Sequence, residues 1–364
     1  MSDLSAYIHV PFCRRKCNYC DFYSAPPING AVSSYAQALC EQIRTSDAAG
    51  RRLKTVYFGG GTPSLLSERD FSSVAEALRE TFDLSSCEEF TVECNPESVT
   101  SELIRTWRFC GVNRVSMGVQ TFHDSHLNTL GRLHTAADAE VAYRMLRQGG
   151  FENISLDLMA ALPQQTEDEL RDDLERILTL FPEHISVYLL KIEENSPFGR
   201  QGVAEADDEV QRDFYLLTHR MLTAGGYEHY EISNFARPGY RARHNSVYWA
   251  GGEYLAFGPG ASGFYEGVRY RIPADTPLFC RQKGKVSPVV EEVVDREEAR
   301  REAVFLGLRC VEGIDRRLID DCKMPFVRML CSKGLGVLTE NRFSLTAEGF
   351  LVSDSIMSEL MPDR

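Results

Sequence analysis

With 364 residues, 43% of them hydrophobic and 26% charged, the chain has the apolar material for one large domain plus a smaller one, and it reads as an ordinary globular protein. A net charge of −13 argues against a broad non-specific nucleic-acid surface while leaving room for a local basic pocket, and no apolar run approaches the roughly 20 residues of a bilayer span. Eleven cysteines, an odd number mostly scattered singly, argue against a secreted disulfide framework, and Met1-Ser2-Asp3-Leu4-Ser5 lacks the basic and apolar regions of a signal peptide, so the expected compartment is the cytoplasm.

The first predicted strand, Ala6–Val10, runs into Cys13, Cys17 and Cys20 at C-x3-C-x2-C spacing. Thiolates this close converge on one metal centre more readily than on three separate partners. A tetrahedral zinc site calls for a fourth Cys or His, usually in a second close pair, and position 22, where a fourth cysteine could sit, is Phe22. Three thiolates suit a 4Fe–4S cluster whose fourth iron stays open to an exchangeable ligand. A zinc knuckle or scattered core cysteines is the competing reading.

Further strands are predicted at Lys54–Phe58, Glu89–Glu93, Arg114–Met117, Ile154–Leu158 and His184–Leu190, mostly apolar and β-branched as parallel strands under helices are. Helical stripes separate them. Ser67 precedes Phe71, Val74, Leu78 and Phe82; Thr166 and Glu169 form a capping box ahead of Leu170, Leu174, Ile177 and Phe181; Val210, Phe214, Leu217 and Met221 mark a later helix. Six βα units to about residue 232 predict an α/β fold, a barrel or part of one, with function gathered on the loops after the strands. Residues 233–290 lose the rhythm and become rich in Gly, Tyr, Arg and Pro; residues 291–364 turn helical from Asp295, with Ala303, Phe305, Leu306 and Leu308 as apolar positions. A Gly334-to-Leu345 hairpin and a last helix after Thr346 give this accessory region a possible winged-helix shape, without a basic face for DNA.

The unusual residues fall in the post-strand loops. Gly59-Gly60-Gly61-Thr62-Pro63 lets backbone approach a ligand with no Cβ in the way, or is an ordinary turn. Glu93 and Asp157 each place a carboxylate at the end of an apolar strand, to cap it, to pair with an arginine, or to meet a ligand ammonium or ribose. Gln120 can donate and accept, and Arg132 can pair bidentately with a carboxylate, though either also suits a structural role. A second concentrated stretch, His244-Asn245-Ser246-Val247-Tyr248-Trp249, offers an imidazole, an amide and two flat aromatics: a face for a porphyrin with His244 reaching its iron, or a packed aromatic corner. Arg237, Arg241 and Arg243 would meet propionates or be solvated.

Taken with Tyr7-Ile8-His9-Val10-Pro11-Phe12-Cys13, Glu93-Cys94-Asn95-Pro96, Ser116-Met117-Gly118-Val119-Gln120-Thr121-Phe122, Leu130-Gly131-Arg132 and Asp157-Leu158-Met159, these motifs resemble the oxygen-independent coproporphyrinogen III dehydrogenase family of radical S-adenosylmethionine (SAM) proteins over nearly the whole chain. The resemblance implies a radical SAM partial (β/α)6 barrel with a mainly helical C-terminal domain. It also implies a 4Fe–4S cluster on Cys13, Cys17 and Cys20 whose open iron is chelated by SAM. Tyr7, Gly60, Gly61, Thr62 and Glu93 would lie at SAM, and Gln120, Arg132 and Asp157 in the SAM and substrate region. True dehydrogenases carry a cysteine where this chain has Phe22 and a longer N-terminal segment. The heme chaperone branch, HemW, is similar to this chain in both respects and has an H-N-x-x-Y-W motif implicated in heme handling, matched by His244, Asn245, Tyr248 and Trp249. Heme, heme-accepting proteins and an electron donor to the cluster are the implied partners, with no catalytic residue assigned. The alternatives are oxidative decarboxylation of coproporphyrinogen III and a heme-modifying methyltransferase. One departure is Ala161, where the branch has Gly before Leu-Pro.

Overall fold

A computed structural model describes residues 4–28 and 30–362 of the chain; part of the N-terminal stretch used for the signal-peptide expectation, residues 1–3, lies outside it. Six parallel strands, β1 (Leu4–Val10), β2 (Leu53–Gly60), β3 (Glu89–Cys94), β4 (Arg114–Gln120), β5 (Ile154–Ala160) and β6 (His184–Leu189), pair in chain order, each followed by helix on the outside. All six coincide with predicted strands to within a few residues at the ends, and the architecture is the expected α/β partial barrel. The sheet does not close. Antiparallel β7 (Glu228–Glu231) and β8 (Asn234–Ala236) extend it beyond β6, in the order β6-β8-β7.

Residues 233–290 are not a separate layer, despite their loss of βα rhythm. β9 (Tyr254–Phe257) lies parallel to β1, and β10 (Ser262–Tyr265), β11 (Val268–Arg271) and β12 (Val289–Val293) continue the sheet antiparallel from it. Pairing between β1 and β9 joins residues some 250 positions apart (Ser5 with Tyr254, Ile8 with Phe257), which no local pattern can announce.

Alternation along the strands separates two environments. Leu4, Ala6, Ile8 and Val10 of β1, with Val56 and Phe58 of β2, pack in the main hydrophobic core against the helices. The alternate residues are polar or aromatic and register across the strands: Ser5 beside Thr55 beside Glu89, then Tyr7, Tyr57, Thr91 and Arg114, then Glu93, Ser116, Ser155 and His184. The barrel interior is thus lined with hydrogen-bonding groups, and each needs a partner because water is largely excluded.

The predicted helix caps form. Ser67 accepts from Asp70 N–H at the head of the helix Glu68–Thr81, and Thr166 with Glu169 makes a full capping box at Glu167–Leu180. The last residue of that stripe, Phe181, is outside the helix: it takes φ +53° as the left-handed cap and stays about half exposed. The C-terminal region places the helix Arg296–Gly307, β13 (Ile314–Asp315), the helix Met324–Ser332 and the hairpin β14 (Gly336–Leu338) and β15 (Arg342–Leu345) around its own core, into which Tyr215 of the helix Asp208–Ala224 also packs. Within Arg296–Gly307 the inward residue is Val304, four before the buried Leu308, whereas Ala303 and Phe305 face out, correcting the expected stripe.

Ala161, buried just past β5, has φ +59°, the left-handed region that favours glycine. An L side chain there costs about 1–2 kcal/mol, offset in part by the roughly 0.4–1 kcal/mol that glycine loses through unfolded-chain entropy. Ala161→Gly is therefore expected to raise the stability measured by denaturant unfolding by about 0.5–1 kcal/mol. A loss of stability would show that the Ala161 methyl contributes more by packing than it costs in strain.

Candidate functional site

The loop after β1 is closed at its base by Ala25, whose N–H donates to Pro11 O (3.0 Å) and whose carbonyl accepts from Cys13 N–H (3.2 Å). Asn18 pins its far side: its N–H donates to Leu130 O (2.9 Å), its side-chain amide to Thr129 O (2.8 Å), and its carbonyl accepts from Phe198 N–H (2.8 Å). Cys13, Cys17 and Cys20 are all partly accessible within this anchored loop. Thr62 Oγ1 donates to Cys13 Sγ (3.4 Å) and Arg132 Nη1 to Cys17 Sγ (3.6 Å), both contacts that favour a thiolate. Burial, then the neighbouring thiols, pushes Cys20 up to about 11, so a metal's positive charge is what would release its proton. Among the described residues no three His, Cys, Asp or Glu side chains close on a single ion. A cluster asks for something different, one thiolate per iron, and the donor set of three sulfurs held by hydrogen bonds fits it.

The loop roofs a cavity of about 480 Å³ at the C-terminal ends of the strands, lined by the three cysteines together with Gly60, Gly61, Thr62, Glu93, Gln120, Arg132 and Asp157. Residues from the ends of β1 to β5 and the loops after them, more than 140 positions apart in sequence at the extremes, thus meet in one place. Tyr7 is not on the cavity wall. It stands in the barrel interior, its hydroxyl 3.1 Å from His9 Nδ1 and its ring stacked on Tyr57 at 6.1 Å.

Glu93 is fully engaged. Tyr57 O–H donates to Oε1 (2.7 Å) and Gly60 N–H to Oε2 (3.1 Å). Burial pushes its carboxyl up to about 7, with Asp157 adding repulsion and the two donors opposing it. Asp157 is likewise raised by burial, while the Ser116 and Ser155 hydroxyls donate to it at 3.1–3.3 Å. Arg132 Nη2 donates to Asn95 Oδ1 and Gly118 O, both at 2.7 Å. It therefore ties strand ends together as well as facing Cys17. Gln120 holds φ +71° beside a bulge between β4 and β5, a strained backbone of the kind kept at functional positions.

The glycines that line the cavity also make room for neighbouring segments. A Cβ on Gly60, at φ +109°, would lie 2.5 Å from the His9 ring, and one on Gly61 2.5 Å from Phe12 O. They let β2 pass beside β1 and the cysteine loop, and the Gly60 N–H is spent on Glu93 rather than free for a ligand.

The His244–Trp249 stretch forms a short helix, Arg243–Trp249, at the opposite, N-terminal end of the strands, where the Arg243 and His244 N–H groups donate to Glu89 (2.8 and 3.0 Å). His244 is fully buried, with Nδ1 2.7 Å from Thr55 Oγ1 and Nε2 2.7 Å from Tyr248 Oη. Of the two readings of this stretch, a porphyrin face or a packed aromatic corner, the buried His244 and its two hydrogen-bond partners form the corner. Trp249 lies under Arg309, 4.5 Å from the guanidinium, and Asn245 and Tyr248 are only partly accessible. Arg237, Arg241 and Arg243 are all paired, with Glu183, with Glu228 and Glu312, and with Glu88 respectively. Sequence reasoning passed over Asn95, whose amide donates to Thr62 Oγ1 (3.1 Å) while its oxygen accepts from Arg132. It also passed over His9, which contacts Tyr7 and the Tyr23 carbonyl, and Tyr57, whose hydroxyl reaches Glu93 of the next strand.

The Radical SAM superfamily profile matches residues 7–177 and that of the HemN C-terminal domain residues 294–352. The chain is 34% identical to the heme chaperone HemW of Lactococcus lactis, over 99% of this chain and 97% of that one. It is 35% identical to the heme chaperone HemW of Bacillus subtilis, over 98% and 99%. Among solved structures, coproporphyrinogen III oxidase (HemN) from Escherichia coli, a radical SAM enzyme, superposes with a TM-score of 0.84 over 99% of this chain and 90% of that one at 22% identity, a likeness of fold.

Glu93 keeps its proton to about pH 7 when folded, against an ordinary value of 4.5. The folded state's advantage from this group is complete below the ordinary value and is lost as pH rises through 7. Glu93→Gln should therefore match the wild type in denaturant unfolding near pH 4.5 and exceed it by about 2–4 kcal/mol above pH 8. A difference that does not change with pH would show that Glu93 is ionised in the free protein.

Proposed function

This chain belongs to the HemW heme chaperone family of radical SAM proteins, and on that premise we propose that it binds heme and delivers it to acceptor proteins while carrying a SAM-ligated 4Fe–4S cluster at the barrel rim. Cys13, Cys17 and Cys20 hold three irons and leave the fourth for SAM; when bound, the cluster supplies one-electron chemistry at SAM. Thr62 and Arg132 stabilise the thiolates. Glu93 and Asp157 offer carboxylates to an ammonium or to ribose hydroxyls, Gln120 an amide, and Tyr7 bounds the interior beneath. Electrons reach the cluster from a separate donor. The protein works in the cytoplasm, without nucleic acid; among the described residues no helix is long and apolar enough to cross a membrane.

The observation that carries the chaperone reading over decarboxylation is the identity of Phe22 at the cavity mouth. Phe22 is 69% exposed there and Tyr188 42%, beside Arg15 and Lys16. Two exposed rings next to two cations match a porphyrin plane with its propionates, and Phe22 brings neither a thiol nor an acid for proton transfer.

Anaerobic reconstitution should give about four iron and four sulfide per chain, and Ala at Cys13, Cys17 and Cys20 together should abolish them; a cluster retained by the triple variant would place it on other cysteines. Heme should bind saturably in the micromolar range or tighter, and Phe22→Ala should weaken it about five- to tenfold through lost apolar contact. The same sample should form no protoporphyrinogen IX from coproporphyrinogen III. Robust decarboxylation without saturable heme binding would instead assign the dehydrogenase activity.

A further inference from the structure

Asn95 stands just past the end of β3 on the cavity wall, and its side-chain amide touches two groups that each touch a cysteine of the loop. On one side Oδ1 accepts from Arg132 Nη2 (2.7 Å), whose other terminal nitrogen reaches Cys17 Sγ (3.6 Å). On the other, Nδ2 donates to Thr62 Oγ1 (3.1 Å), which lies 3.4 Å from Cys13 Sγ. Chemistry fixes which way the amide faces. A guanidinium only donates, so the atom toward Arg132 is the oxygen and the nitrogen faces Thr62.

The direction of the next bond follows. Thr62 has a single hydroxyl hydrogen. Its oxygen already accepts from Nδ2, so that hydrogen is not spent on Asn95 and goes to Cys13 Sγ. Thr62 is 3% exposed, and bulk water offers its hydroxyl no competing acceptor. Arg132 is held in a similar way. Nη2 is shared between Asn95 Oδ1 and Gly118 O, both at 2.7 Å, which sets the plane of the guanidinium and keeps Nη1 at Cys17.

We propose that Asn95 is a positioning residue for the cluster, its amide turning the Thr62 hydroxyl toward Cys13 and the Arg132 guanidinium toward Cys17; this rests on the reading that Cys13, Cys17 and Cys20 hold the cluster. Hydrogen bonds to the ligand sulfurs favour the reduced, more negative form of a cluster and raise its potential. Asn95 thereby sets how readily the cluster accepts an electron, although its own bonds go to Thr62 and Arg132. Aspartate at this position would have the same shape but could only accept. The Thr62 hydrogen would then turn to the carboxylate and leave Cys13 Sγ without its donor.

The test is the cluster's midpoint potential, read by electron paramagnetic resonance in a redox titration of the anaerobically reconstituted full chain. Iron and sulfide are measured first in each variant, so that lost assembly is separated from a shifted potential. Thr62→Val removes the hydroxyl alone and calibrates the bond. It is expected to lower the reduced-to-oxidised ratio at a fixed potential about three- to tenfold, roughly 30–60 mV for one electron. Asn95→Asp should fall by at least as much in the wild-type background, and by less where Thr62 is already Val, because only the added charge then remains. If Asn95→Asp assembles no cluster, Asn95→Leu, neutral and of the same branched shape, replaces it, again with a smaller fall in the Thr62→Val background than in the wild type. An unshifted midpoint in the Asn95 variant, or a fall of equal size in both backgrounds, would overturn the proposal. So would loss of assembly in both Asn95 variants while Thr62→Val keeps its cluster, which would make Asn95 a builder of the site and not an orienter of its donors. A wild-type protein that assembles no cluster would fail the proposed function itself, a result distinct from these.

Discussion

Arg132 brings a cation to a rim that already holds three thiols, and both terminal nitrogens of its guanidinium are answered there while Nε has no partner among the described residues. One terminal nitrogen spans from Asn95 at the end of β3 to the Gly118 carbonyl in β4, and the other reaches Cys17. Asn95 in turn donates to Thr62, which donates to Cys13. The order of these bonds matters more than their number. They make the ends of β2, β3 and β4 and the cysteine loop one hydrogen-bonded unit, so the position of the sulfurs is set by strands rather than by the loop. A cluster needs that: thiolates carried on a free loop would lose ordering entropy on each capture of iron, whereas an anchored loop has lost it on folding.

The same logic runs through the barrel interior. Polar groups repeat at every second position of β1 to β5, and their partners lie on neighbouring strands or on the motif helix: Tyr57 to Glu93, Thr55 to His244, Ser155 to His184, and Ser116 to Asp157. Among the described residues these bonds leave Thr91 Oγ1 and Arg114 Nε without a partner, and within this interior Glu93 sits at the cavity without a salt bridge, its carboxyl raised by burial. The apolar alternate positions do the separate work of holding the helices.

Much of this was legible in the chain. Apolar β-branched runs mark all six central strands, Ser67 and Thr166 mark helix starts, and the motifs after the strands collect in one cavity because parallel strands bring their C-terminal ends to one side. What stayed hidden depends on contacts between distant segments. Gly60 reads as a ligand-facing glycine until His9 is seen where its Cβ would be. His244 reads as a ligand until Thr55 and Tyr248 are seen on its two nitrogens. Residues 233–290 read as an irregular segment because β9 to β12 are four or five residues long and find their partners only through β1. Ala161 is the reverse case. The chain shows only a departure from a glycine there, and the structure adds that the position is left-handed, at φ +59°.

Placing the histidine motif at the barrel floor changes what a signature of this kind can mean. Here the ring has both nitrogens bonded and lies against Tyr57. The residues beside it follow the same pattern, since Tyr248 secures the ring and Trp249 packs under Arg309 from the C-terminal region. The floor helix is thus bound on one side to β2 and β3 and on the other to the C-terminal segment. Exposed rings are found at the other end, at Phe22 and Tyr188, so the buried aromatic motif and the exposed rings fall on opposite ends of one set of strands.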